Sequence, residues 1–130
     1  MNEKKKILII DDDTFLLNMY SMKFEKNGFE TKVSASVTDG LDILRSGFKP
    51  DILLIDLIMP VMDGFAFYET MKKEKLSPDT LTIMLTNQGT SADIEKAKLL
   101  GIQGFIVKAT TIPSEVVEEV KGVLTKYNRL

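Results

Sequence analysis

Four stretches of this chain end an apolar run on a group that can do chemistry. The run at residues 7–10 (ILII) is followed at once by Asp11, Asp12 and Asp13, and the run at 52–55 (ILLI) by Asp56. Thr86 follows residues 82–85, and Lys108 follows residues 105–107. If these runs are parallel strands, the four positions meet at one rim, because open α/β sheets build their sites outside the carboxyl ends of the strands. Carboxylates gathered there repel one another, since two unit charges about 4 Å apart cost about 4 kcal/mol at an effective dielectric of about 20. A cation removes that cost. The sequence has no histidine and no cysteine, which excludes disulfide scaffolds, thiolate or imidazole zinc sites and any mechanism using an internal His or Cys. A metal here must be held by oxygen, and Mg²⁺ suits one or two carboxylates, several waters and a phosphate oxygen. Lys108 adds a point charge and Thr86 a hydroxyl donor. A carboxylate nucleophile surrounded by a cation, an ammonium and a hydroxyl is what phosphoryl transfer requires: positioning and charge neutralisation. The residues point to an aspartyl-phosphate site.

The elements that must position these groups are legible in the apolar spacing. Runs without alternation at 7–10 and 52–55 match strands covered by helices on both faces, and 82–85 and 105–107 match two more. Residues 31–35 are more polar and include Lys32, as suits an edge strand, which delivers only Ser36 to the rim. Leu16, Met19, Tyr20 and Phe24 recur at helical spacing up to Asn27-Gly28, a C-cap pair. Val116, Val117, Val120, Val123 and Leu124 form an apolar stripe on a final helix, with Glu115, Glu118, Glu119 and Lys121 opposite. Further helices are expected at 38–45, 65–75 and 91–100. Five strands alternating with five helices, without linker or repeat, predict a doubly wound α/β sheet filling one domain over residues 1–130.

Several conspicuous residues have plainer roles. Asp13 reads as the N-cap of the first helix, and Asp63, in Met62-Asp63-Gly64, as a turn or cap residue. Met19, Met22 and Phe24 read as core. Lys4, Lys5 and Lys6 read as a solvated terminus, and the run after them is too short for a signal peptide or a membrane span. With 44% hydrophobic and 28% charged residues the chain is an ordinary globular protein, and 17 basic against 19 acidic residues give a net charge of −2. That balance argues against broad nucleic-acid binding. The expectation is a cytoplasmic protein that engages neither membrane nor nucleic acid directly.

The segment from Asp56 to Gly64, DLIMPVMDG, resembles the one around the phosphorylated aspartate in the receiver domain of two-component response regulators. The acidic pair after the first strand, Thr86 and Lys108 complete that family's set in the right order, and the resemblance covers essentially the whole chain. It implies a flavodoxin-like sheet of order 2-1-3-4-5. It implies that Asp56 takes a phosphoryl group from a phosphohistidine on a histidine kinase or phosphotransfer protein. Asp12 and Asp56 would bind Mg²⁺ directly, with Asp11 acting through water and the Ile58 backbone carbonyl as a further ligand. Lys108 would contact the phosphoryl group and Thr86 would move toward it. Phe105 matches the aromatic that turns inward on activation, and the face of the fourth helix, fifth strand and fifth helix would then change its preference for a protein target or a second copy. The implied protein is a signalling phosphoacceptor that promotes its own phosphorylation and dephosphorylation, not an enzyme acting on a separate substrate. The length leaves no residues for an output domain, so the expectation is a stand-alone receiver.

Three positions depart from the family pattern. Ala109 follows Lys108 where the family usually has a cis proline; a non-proline cis bond costs about 3 kcal/mol, leaving this loop trans, strained or reshaped. Phe105 replaces a frequent tyrosine, so its movement relies on packing alone. Asn87 replaces a usual small residue. Ile58 and Gln88 flank the place of an attacking water, and apolar Ile58 cannot orient one, which predicts slow self-dephosphorylation. Repulsion among Asp11, Asp12 and Asp56 predicts that Asp11→Asn stabilises the metal-free protein. Two other readings compete. Asp11-Asp12-Asp13-Thr14 resembles the Asp-x-Asp-x-Thr nucleophile motif of haloacid-dehalogenase-like phosphatases, with Asp11 attacking. A receiver-like binding module that signals without phosphorylation is the other. A nucleotide or flavin binder is disfavoured by three aspartates where a glycine-rich turn should stand.

Overall fold

A computed structural model describes residues 4–129; residues 1–3 and 130, the ends of the expected 1–130 domain, lie outside the described residues. Five strands, β1 (Lys6–Ile10), β2 (Glu30–Ser34), β3 (Ile52–Asp56), β4 (Leu81–Thr86) and β5 (Gly104–Val107), alternate with five helices. The helices are α1 (Thr14–Lys26), α2 (Val37–Arg45), α3 (Gly64–Lys73), α4 (Ser91–Leu100) and α5 (Pro113–Lys126). All pairings are parallel and the strand order is β2-β1-β3-β4-β5, the doubly wound sheet expected.

The unalternating runs are explained by the two cores they serve. Side chains on one strand alternate between faces, so Ile7, Ile9, Ile52, Leu54, Ile83 and Leu85 pack under α1 and α5, while Leu8, Ile10, Leu53, Ile55 and Met84 pack under α2, α3 and α4. No position on β1, β3 or β4 can therefore be polar without cost. The exceptions are the ends of the strands, which carry Asp56 and Thr86, and Thr82, whose buried hydroxyl oxygen has no hydrogen-bond partner. β2 lies at an edge and is half-exposed, as Lys32 implied.

Element ends follow the capping chemistry. Asp13 Oδ1 accepts from the Leu16 N–H at 3.1 Å and Asp63 Oδ1 from the Ala66 N–H at 2.8 Å, opening α1 and α3. Asn27 caps α1, with Gly28 at φ +85° after it. Lys6 is the first residue of β1 rather than part of a loose terminus, and its N–H donates to Asp51 Oδ2 at 2.8 Å. Among the described residues no helix is long and apolar enough to cross a membrane.

Candidate phosphoacceptor site

Parallel register sets the rim. Ile10 pairs with Ile55, so Asp11 and Asp56 emerge side by side, and Asp56 pairs with Leu85, which puts Thr86 next along the edge. Asp11, Asp12 and Asp56 each offer a carboxylate oxygen, and these atoms lie within 4.8 Å of one another. Lys108, leaving β5 two strands away, reaches across to both acids at the floor. Its Nζ stands 2.7 Å from Asp11 Oδ2 and 3.2 Å from Asp56 Oδ2. The open cleft above has a volume of about 460 Å³ and is lined by Asp12, Asp13, Asp56, Ile58, Asn87 and Lys108.

The three acids are not equivalent. Asp11 is fully buried, and its Oδ1 accepts from the Asp13 N–H at 2.9 Å. Its Oδ2 is charge-paired with the Lys108 ammonium at 2.7 Å. Asp56 is 6% exposed and Asp12 is exposed at the mouth. Burial pushes the Asp56 carboxyl up to about 6; the Lys108 charge pulls it back, Asp11 pushes it further, and the Lys108 and Ile58 N–H hydrogen bonds lower it. Burial works against the Lys108 ammonium, but its hydrogen bond to and the charge of Asp11, followed by Asp56, hold it above the usual lysine range.

An all-oxygen set of three converging carboxylates fits a hard divalent cation such as Mg²⁺. The expectation that Asp11→Asn relieves repulsion does not carry over. Lys108 lies between Asp11 and Asp56, so Asp11 is one partner of a buried ion pair, and removing it strands the other.

Ala109 does not disable the loop. No cis peptide bond occurs among the described residues, and Lys108–Thr110 forms a single 3₁₀ turn from which Lys108 still reaches both acids. Thr86 is buried at the end of β4, with its Oγ1 donating to the Gln88 carbonyl at 3.3 Å. Phe105 is half-buried against the core under α2, α3 and α4. Ile58, 69% exposed, stands at the cleft mouth, and its N–H donates to Asp56 Oδ1 at 3.3 Å.

One contributor escaped the sequence reading. Tyr20, placed in the core by its spacing, is raised in pKa by burial first and then feels Lys108, Asp11, Asp56 and Asp13, so its phenol lies within electrostatic range of the site. Gly64 closes the segment that carries the resemblance. A Cβ there would stand 2.9 Å from the Asp56 carbonyl oxygen and 3.1 Å from Leu57 Cα, so only glycine lets α3 start beneath the Asp56 loop.

A parallel 2-1-3-4-5 sheet with an acidic cluster, a lysine and a threonine at its carboxyl edge defines the receiver class of signalling proteins. The family model for the response regulator receiver domain matches residues 7–121, and the chain belongs to that family. It is 33% identical over 121 residues to the heme response regulator HssR of Staphylococcus saprophyticus, covering 93% of this chain and 52% of that protein. It is 26% identical over 124 residues to the phosphate regulon regulatory protein PhoB of Escherichia coli, covering 95% and 53%. The chain thus spans about half the length of these relatives. Among solved structures, a CheY-like receiver protein of Methanospirillum hungatei superposes with a TM-score of 0.85 at 27% identity, covering 98% of each chain. Vibrio cholerae CheY4 gives 0.84 at 25% identity, covering 94% of this chain and all of that one. The dehalogenase-like phosphatase reading gains no support from these likenesses: counted from Asp11, the motif's threonine position falls on Phe15 rather than Thr14, and Asp13, its third position, is occupied in capping α1.

Proposed function

We propose that residues 1–130 form one receiver unit in which Asp56 accepts a phosphoryl group from a phosphohistidine on a histidine kinase or phosphotransfer protein. The observation that carries this reading is the position of Lys108 Nζ, within 3.2 Å of Asp56 and 2.7 Å of Asp11 beneath an open acidic cleft. An oxygen of Asp56 attacks phosphorus; the new O–P bond forms as the donor's P–N bond breaks, and the imidazole nitrogen departs with the electron pair. Lys108 keeps its ammonium charged and exchanges part of its contact with Asp56 for a phosphoryl oxygen. Thr86 releases the Gln88 carbonyl and donates to another phosphoryl oxygen. Asp12, Asp56 and the Ile58 carbonyl would hold Mg²⁺, with Asp11 engaged through water. When bound, that ion neutralises charge on the transferring group.

The protein promotes its own phosphorylation and dephosphorylation, the latter slowly because Ile58 at the cleft mouth gives an attacking water no partner. The output is a changed α4–β5–α5 face presented to a protein target or a second copy, in the cytoplasm and without direct contact to nucleic acid or membrane. Incubation with acetyl phosphate and Mg²⁺, followed by intact mass, tests the reading. The parent gains the mass of a single phosphoryl group, and the gain vanishes with EDTA and in Asp56→Asn. An adduct of equal yield in Asp56→Asn overturns it.

A further inference from the structure

One polar side chain at the rim takes no part in the reaction proposed for Asp56. Asn87 lines the cleft with Asp12, Asp13, Asp56, Ile58 and Lys108, and it is exposed where Thr86, the residue before it, is buried. The hydrogen bonds of the rim run from the Ile58 N–H to Asp56, from the Thr86 hydroxyl to the Gln88 carbonyl and from Lys108 to Asp56. None of them uses the Asn87 amide. That amide offers N–H donors at one end and an acceptor oxygen at the other. Its surroundings decide which end turns inward, because the carboxylates of Asp12, Asp13 and Asp56 attract the N–H end and repel the carbonyl. Ile58, 69% exposed at the same mouth, has an apolar side chain. Among the described residues that line the cleft, Asn87 alone brings an uncharged side-chain donor.

We infer that Asn87 is a catalytic residue of the transfer: its side-chain N–H donates a hydrogen bond to the phosphoryl donor's nitrogen as that nitrogen leaves. The inference rests on the phosphoacceptor reading. In-line displacement puts the leaving group opposite the attacking oxygen. Asp56 is 6% exposed, so a donor reaches it from the mouth and its departing nitrogen is left on the mouth side. As the Asp56 O–P bond forms, the P–N bond breaks and its electron pair stays on the imidazole nitrogen, which becomes a hydrogen-bond acceptor. The Asn87 N–H stabilises that pair without giving up its proton. Lys108 and Thr86 serve the phosphoryl oxygens from inside the cleft. A group aimed at the leaving nitrogen acts only while the bond is breaking, so it changes the rate and not the affinity for a bound phosphoryl group. The same orientation gives an attacking water a donor where it needs an acceptor, in keeping with slow hydrolysis.

The test gives the parent, Asn87→Ala and Asn87→Asp monophosphoimidazole in Mg²⁺ and follows phosphoryl gain by intact mass. Each protein is also titrated with beryllofluoride, a phosphoryl analogue without a leaving group, by backbone amide NMR. Asn87→Ala should take up the phosphoryl group about tenfold more slowly, the worth of one hydrogen bond in the transition state. Asn87→Asp, matched in shape but lacking the N–H, should be slowed at least as much. In Asn87→Ala the beryllofluoride midpoint and the lifetime of the adduct should stay within about twofold of the parent's. Uptake by Asn87→Ala at the parent's rate overturns the inference, and so does faster uptake, which would mark Asn87 as an obstacle to donor entry. Slower uptake matched by an equal rise in the beryllofluoride midpoint also overturns it, because the amide then serves the bound phosphoryl group. Asn87→Asp reacting at the parent's rate does the same. All of these outcomes leave the phosphoacceptor reading standing. A parent that gains no phosphoryl group, or one whose gain persists in Asp56→Asn, defeats that reading and the inference with it.

Discussion

Asp56 sits in metal-free protein as a carboxyl whose burial outweighs its pairing with Lys108, and that has a measurable consequence. Its folded pKa, about 6, lies above the ordinary value of 3.8, so the folded state holds a proton that the unfolded state releases earlier. Stability from this group is full below pH about 4 and lost as pH rises through about 6, on the order of 2–3 kcal/mol. Denaturant unfolding in EDTA should show that decline in the parent and a flatter profile in Asp56→Asn; matching slopes would contradict it. Ile58 carries the second prediction. A phosphorylated parent should keep its adduct for much longer than seconds, and Ile58→Asn, which can hydrogen-bond a water, should shorten the lifetime severalfold by time-resolved intact mass. The residue types and their positions after each strand were legible in the sequence. The pairing of Lys108 with Asp11 was not, because Asp11, Asp12 and Asp13 are chemically identical. Only the turn of the chain decides that Asp11 faces the interior, Asp12 the mouth and Asp13 the helix N-terminus.

The loop between β3 and α3 shows what an element can hide. Val61 has φ +75°, and the Met62 N–H donates to the Pro60 carbonyl at 2.9 Å, a γ-turn of the strained positive-φ kind with a β-branched residue at its apex. The side chain is 91% exposed, so no packing is lost by changing it. Val61→Asn should stabilise the protein by about 1 kcal/mol, because asparagine visits this region at lower cost. A lower melting temperature than the parent's would show that the turn carries no strain. The cap at the other end of this loop makes the opposite prediction: Asp63→Ala should cost about 1 kcal/mol by leaving the Ala66 N–H without its acceptor, and an unchanged unfolding midpoint would refute it. Helix periods placed all five helices to within a few residues, since an amphipathic face is a strong signal. The γ-turn left none, because positive φ at valine comes from closure of the loop and not from local preference.

At the scale of the molecule, two cores on opposite faces of one sheet hold the strand ends in register, and the rim inherits that rigidity. The acidic cluster is thus assembled at a stability cost that a bound cation should return. Mg²⁺ at a hundred times its Kd should stabilise the parent by about 2.7 kcal/mol. Asp12→Asn should lose most of that gain in a thermal melt, since Asp12 is exposed and takes no part in the Lys108 pairs. Equal responses would count against a shared site. The alternation of apolar runs and helical periods made the architecture readable, and the order of the rim residues made the family readable. The state of the rim was not readable: where the Thr86 hydroxyl and the Phe105 ring lie depends on contacts across a parallel crossover. The most direct test of the central claim locates the phosphoryl group. Protein treated with acetyl phosphate and Mg²⁺ is reduced with borohydride, which converts an aspartyl phosphate to homoserine, and then digested and mapped by mass. The account predicts homoserine at position 56 alone; homoserine at position 11 with Asp56 intact would contradict it.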